Sequence, residues 1–250
     1  MSWALILLLS QDVQVEVEAR AAWTAPKFRV RDGEPWLAPT SVFSKELDAE
    51  SSQFSPGGAV RLLAGDERFS FGYWYARAEG DGAVEEPKSF GGGVVPAGTV
   101  SDTEAFFQYM GLGWRHRFAL WEPEGKDLRL WLDPGLNLEY LVFDADLGFG
   151  GTRLDGVFPT PQLSAVFSPI PWLEVEAGFG GFYLPFVNGD VDILDPVQYR
   201  FSVTGRWDRW ALTLGYELYH VHLEENANEP EEDVVHLRLG SWSLSLSYRF

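Results

Sequence analysis

The chain closes on "WSLSLSYRF", Trp242 to Phe250. Trp242, Leu244, Leu246, Tyr248 and Phe250 share one parity, and Ser243, Ser245, Ser247 and Arg249 share the other. Strict alternation over such a stretch describes a β-strand with one apolar and one polar face. Left at the edge of a water-soluble sheet, a strand of this kind is an aggregation site. The rest of the sequence must supply what covers both its edge and its apolar face.

The same period recurs along the chain. Val13, Val15, Val17, Ala19, Ala21 and Trp23 alternate with Gln14, Glu16, Glu18 and Arg20. Comparable runs cover 69–76, 128–142, 173–183, 198–207 and 212–218, with weaker ones at 58–64, 104–120 and 162–167. With the closing run from Val234 to Phe250, the pattern predicts ten strands, with eight or twelve as the alternatives. At Gly240–Ser241 the parity of Leu237 and Leu239 gives way to that of Trp242. A β-bulge at the glycine would restore a common apolar face and would group Arg238 and His236 with the polar set.

The connections alternate in length. Short ones fall at Gly65–Arg68, Glu122–Lys126, Ser168–Pro171 and Asp208–Arg209. Long ones fall at 24–57, 80–103, 144–160, 184–196 and 223–233, and they hold most of the net charge of −18. Tight turns at one end, long loops at the other and an even strand number describe a closed transmembrane barrel with both termini at the turn end. About ten residues tilted near 40° cross a bilayer core. Trp121, Trp172, Trp207, Trp210 and Phe250 fall at the turn end, and Trp23, Tyr75, Tyr140, Tyr183 and Tyr219 towards the loop end. Amphipathic rings favour such membrane–water boundaries.

Composition limits the other classes. The longest apolar run, Trp3 to Leu9, is far below the ~18 residues a spanning helix needs. Strong acidity argues against nucleic acid as a partner. The chain has no cysteine, which removes disulfides and thiol catalysis. "MSWALILLLS" has the apolar core of an export signal without a preceding cation, so residues 1–10 read as a signal remnant or apolar extension and 11–250 as one barrel.

With its terminal Phe250 preceded by Tyr248, Leu246 and Leu244, the closing strand resembles the C-terminal signature of small bacterial outer-membrane β-barrel proteins, the OmpA/OmpW/porin-like class. The resemblance implies that these four residues are read by the barrel-assembly machinery, and that the last strand pairs with the first. Closure of that kind removes the edge and turns the terminal aromatic into a lipid-facing anchor. It also implies integral residence in the outer membrane among phospholipid and lipopolysaccharide, here as a monomer.

The polar parity defines the expected lumen. Its acids are Glu16, Glu18, Asp133, Glu139, Glu174, Glu176 and Glu217; its bases are Arg20, Arg61, Arg115, Arg117, Arg129, Arg200, Arg206, Arg238 and Arg249. Near-balance in so narrow a space predicts bidentate pairs and a closed network. A plugged barrel is the first expectation. A narrow path is the second, kept open by small residues such as Gly72, Gly111, Gly113, Gly178 and Gly215.

Enzymatic and ligand-binding readings rest on fewer residues. His220, His222, Asp144 and Asp146 lie at loop ends, where a carboxylate beside a histidine activates water, yet both histidines share the outward parity. The rim hydrolase is therefore an alternative to a non-enzymatic surface barrel or narrow pore, and a soluble ligand-binding barrel is a further one. No cofactor is implied. Asp190, Asp192 and Asp195 offer alternate carboxylates suited to Ca²⁺, without the spacing of a known calcium loop. "FGGGVVPAG", Phe90 to Gly98, lacks the lysine and strand–helix setting of a phosphate loop.

Overall fold

A computed structural model describes residues 13–31, 41–49, 51–90, 93–124, 127–182, 191–225 and 233–250. The 1–10 extension, Tyr183 and Asp190 lie outside the described residues.

Ten long strands form one antiparallel ring: β1 Val13–Arg31, β2 Gln53–Ala64, β3 Glu67–Gly80, β4 Thr103–His116, β5 Arg129–Asp146, β6 Gly151–Ile170, β7 Leu173–Gly181, β8 Val191–Trp207, β9 Trp210–Glu225 and β10 Asp233–Arg249. Each pairs with its sequence neighbours, and β10 pairs with β1 from Glu16↔Arg249 to Arg31↔Val234. The last strand thus closes on the first, and the edge that the terminal sequence would have exposed does not exist. Phe250 continues the seam, its backbone N–H donating to the carbonyl of Val15 at 2.8 Å.

The turn end is tight. Gly65 and Asp66 join β2 to β3, with Gly65 in the left-handed region at φ 59°, and Asp208, at φ 53°, opens the turn before β9. Short hairpin loops require such values. The connection after β4 departs from a bare turn, because Phe118–Trp121 adds a short strand against β5.

The loop end differs from expectation at 144–160. That stretch is not a loop: β5 and β6 pair without interruption from Asp146↔Gly151 to Arg129↔Ser168, and the connection is 147–150. Pro159 and Pro161 conceal the strand in the sequence, yet both are accommodated in β6. Other loops fold inward over the barrel end. Val42–Phe43 extends the sheet beside β1, and Lys88–Phe90 pairs with Gly93–Val95 as a small hairpin.

The side chains sort by solvent. In the turn-side half, apolar residues point outward and are exposed: Val17, Val60, Phe71, Leu112, Leu138, Leu163, Phe201, Leu214 and Leu244 are each about two-fifths or more accessible. No second layer of the described chain packs on them. From Val13 to Trp23 the outward row spans about 25 Å at ~3.3 Å per residue and a 40° tilt, the height of a barrel's apolar band.

Above Trp23 the sidedness inverts. The inward row of β1 passes from Glu16, Glu18 and Arg20 to Phe28 and Val30, while its outward row passes from Val17 and Trp23 to Lys27 and Arg29. Strand β10 does the same, from inward Ser245 and Ser241 to Leu239, Leu237 and Val235, and from outward Leu244 and Trp242 to Arg238 and His236. The expected bulge at Gly240–Ser241 is absent, since the register runs unbroken through Ala25↔Gly240 and Leu218↔Gly240. What changes there is which parity is apolar, not the register of the strand. Such an inversion is what a wall must do where it leaves the bilayer.

Candidate functional site: a charged cavity beneath an apolar plug

Nine of the ten barrel strands, all but β6, bring arginines or carboxylates to the lower interior, because β-strands alternate and one parity of each faces in. Glu16, 4% exposed, takes Arg61 at 2.8 Å, Arg206 at 3.2 Å and Arg249 at 3.3 Å. Arg61 also grips Glu18, and Arg206 reaches Glu174 at 3.2 Å. Glu176 sits between Arg200 at 2.8 Å and Arg115 at 3.0 Å, and Arg20 pairs with Glu217 at 3.0 Å. Arg117 clamps both oxygens of Asp133 and lies 4.6 Å from the centre of the Trp131 ring. Fork-to-carboxylate pairing of this kind satisfies charges that would be costly alone.

Glycines make room for the network. A Cβ at Gly113 would stand 2.5 Å from both Asn137 Oδ1 and Ser70 Oγ, and one at Gly178 would stand 2.6 Å from Ser164 Oγ. These residues therefore serve packing rather than a water path. A cavity of about 260 Å³ remains among the charges.

Beyond Tyr109 and Asn137, which line the cavity, stands Glu139, which is fully buried. The hydroxyls of Tyr109 and Tyr219 donate to it at 3.2 and 3.1 Å, and Asn137 Nδ2 donates at 3.3 Å. Above it the interior is apolar. Phe107 and Phe143 stack at 5.0 Å, Phe28 leans on both, and Val221, Leu237 and Leu239 complete the layer. Loop residues Val42, Leu47, Val84, Phe90 and Leu147 are buried against it, and Lys88 ties to Glu46 at 3.0 Å.

Of the sixteen expected lumen residues, fourteen share this interior network. Arg129 has the inward parity but is exposed at the turn-side mouth. Arg238 is a correction: it lies on the outer wall, exposed, because it stands above the inversion. His236 moves outward for the same reason. Tyr219 is a second correction, since it is 1% exposed and bonds Glu139 instead of lying at the interface. Trp23, Trp121, Trp172, Trp207 and Trp210 are exposed as expected, and Tyr75 and Tyr140 face outward. Leu244, Leu246, Tyr248 and Phe250 line the outer face of the seam.

Arg68, which the short connection Gly65–Arg68 hides in the sequence, is the second residue of β3 and lines the cavity, and its Nε has no hydrogen-bond partner among the described residues. Asn137, Gln162, Gln198 and Trp131 were readable from parity alone. Outside, Glu67 accepts from Trp114 Nε1 at 2.6 Å and pairs with His116 at 2.8 Å near the turn-side boundary.

The chemical candidates do not converge. Asp144 on β5 and His220 on β9 both face outward, four strands apart around the ring. Asp195 faces outward opposite His222. Among the described residues no group of three histidines or carboxylates has the geometry to hold a metal.

No family model matches the sequence, and no curated protein does. Among solved structures, the Escherichia coli outer membrane protease OmpT superposes with TM-score 0.53 at 12% identity, covering 96% of this chain and 98% of that one. Neisserial surface protein A aligns with TM-score 0.40 at 14% identity over 94% and 97%, and the Pseudomonas putida toluene transporter TodX with 0.37 at 10% over 98% and 92%. The fold is that of the small outer-membrane β-barrels, closed and ten-stranded.

Proposed function

We propose that this outer-membrane-type barrel is a non-enzymatic surface protein, a closed scaffold that carries a packed β-head above the outer leaflet of a bacterial outer membrane. The observation that carries the reading is the plug. An open pore needs a wet axis, whereas Phe107, Phe143, Leu237 and Leu239 fill this one and are almost wholly buried. The charged cavity below reaches Tyr109, and the apolar layer lies above it. Lipid meets the outward band, and the barrel-assembly machinery inserts a monomer whose seam needs no partner chain.

The separation of Asp144 from His220 weighs against hydrolysis at the rim. Single-channel recording in planar bilayers tests the scaffold reading. Silence under applied voltage is the expected result; steady, cation-selective steps would establish the narrow pore instead.

A further inference from the structure

The charged cavity carries an excess of cations. Seven arginines line it against six carboxylates, and Arg249 joins them through Glu16. Even with buried Glu139 counted, eight guanidiniums face seven carboxylates. Each of the six lining carboxylates is held by at least one guanidinium, and each arginine but one holds a carboxylate. The exception is Arg68. Among the described residues no carboxylate pairs with it, and its Nε is buried without a hydrogen-bond partner. Arg20, Arg200 and Arg249 also leave Nε unbonded, yet each holds a carboxylate through Nη2.

The surroundings of Arg68 add to the excess. Register sets it on β3 directly opposite Arg115 on β4, and like charges in facing ladder positions repel. Arg117 and Arg206 are its other cationic neighbours, and Asp133 and Glu174 its acidic ones. Both acids are already engaged: Arg117 takes the two oxygens of Asp133, and Arg206 takes Glu174 through Nε and Nη2. A cation left so in a confined space is costly, and an added anion would offset it. There is room for one. Above Arg68 on the inward row of β3 come Ser70 and Gly72, and a Cβ at Gly72 would meet nothing nearer than Gly58 O at 4.0 Å. Access is from the turn end: Arg68 stands two residues after the Gly65–Asp66 turn, and the side chains of Arg61 and Arg249 keep 35% and 33% of their surface accessible.

We propose that the turn-side cavity is a binding site for a small oxyanion of the phosphate or sulfate class, with Arg68 as its principal ligand and Arg115 and Arg117 beside it. Planar guanidinium forks present paired N–H donors that match two oxygens of such an anion, which selects it over a halide. The 260 Å³ of the cavity holds the anion together with its remaining waters, since ~10–15 Å³ suffices for one water. The inference goes beyond the scaffold reading and holds whether or not the barrel axis conducts.

The test titrates the folded full chain, in a non-ionic detergent, with inorganic phosphate, sulfate or chloride at equal ionic strength. Calorimetry reads binding, and urea unfolding followed by a heat-dependent gel shift reads stability. The wild type should bind phosphate and sulfate saturably and gain stability with them, and should gain none with chloride. Arg68→Gln should bind phosphate about tenfold or more weakly, and Arg68→Lys should fall between. In chloride alone Arg68→Gln should equal or exceed the wild type in stability, because it removes an unpaired cation; an arginine with a merely structural role would lose stability in both salts. Arg77→Gln, at an exposed arginine paired with Glu79 and Glu104, should respond as the wild type does. A wild type that responds equally to phosphate and chloride overturns the inference, and that comparison decides even where a variant fails to fold. Wild-type phosphate affinity in folded Arg68→Gln overturns it as well. Neither result touches the scaffold reading, which conductance alone tests.

Discussion

Tyr219 donates its hydroxyl to Glu139 at 3.1 Å, joining β9 to β5 across the barrel where the polar interior meets the apolar plug. Among the described residues Glu139 has no cation partner, and tyrosine and asparagine donors hold it. Tyr219→Phe removes one donor from a buried acceptor and should lower stability by about 1–3 kcal/mol. Glu139→Gln keeps the shape and should cost less than Glu139→Leu, which strands the hydroxyls of Tyr109 and Tyr219 as well. Urea unfolding followed by gel shift ranks the three.

Glu16 is shared by Arg61, Arg206 and Arg249. Replacing it with Gln leaves three guanidiniums short of one carboxylate in a confined space, a loss of about 3–5 kcal/mol. Glu18→Gln should cost less, because it serves Arg61 alone among the described pairs and Arg61 keeps Glu16. Equal losses for the two would mean that the network does not concentrate on Glu16.

Phe143→Ala empties a fully buried site stacked on Phe107 and should destabilise by about 3–5 kcal/mol. The same change at outward Leu244 should cost far less in detergent, where a mobile apolar solvent fills the gap. Opening the plug by pairing Phe107→Ala with Phe143→Ala should also admit the first ionic leak in planar bilayers.

Phe250 is 69% exposed and fixed chiefly through its backbone bond to Val15. Phe250→Ala should therefore change the stability of folded protein by under about 1 kcal/mol, yet lower the amount inserted in cells severalfold, the outcome that the proposed insertion by the barrel-assembly machinery requires of its terminal aromatic. Quantifying membrane-inserted protein against refolded stability separates the two effects.

All ten strands were legible from period-two alternation, and so was the inward side of most lumen charges, though not which pairs with which, because side-chain parity is a geometric property of any strand. Alternation does not say which medium each face meets. In 234–239 the apolar parity exchanges faces with the polar one, and an observer assuming constant hydrocarbon outside must invoke a bulge. The correct reading needs the strand to outlast the bilayer. Arg238 was misplaced for that reason; Tyr219 shares the inward parity of Glu217, and only its height near the loop end suggested an interface position. The extension of β5 and β6 through 144–160 was hidden by Pro159, Pro161 and the acids Asp144, Asp146 and Asp155, which mark a loop in membrane but a solvated wall above it. Arg68 was lost to a turn boundary set two residues too far along.

The central claim is that one continuous wall faces hydrocarbon below Trp242 and water above it. The absence of cysteine allows single nitroxide labels at Leu244, Ser245, Arg238 and Leu237 in an otherwise unaltered chain, reconstituted in lipid. Relaxation by dissolved oxygen against a water-soluble nickel chelate reads the medium at each site. Leu244 should favour oxygen, Arg238 should favour nickel, and Leu237 should be shielded from both. Strong nickel access at Leu244, or oxygen preference at Arg238, would contradict the inversion and with it the membrane boundary on which the account depends.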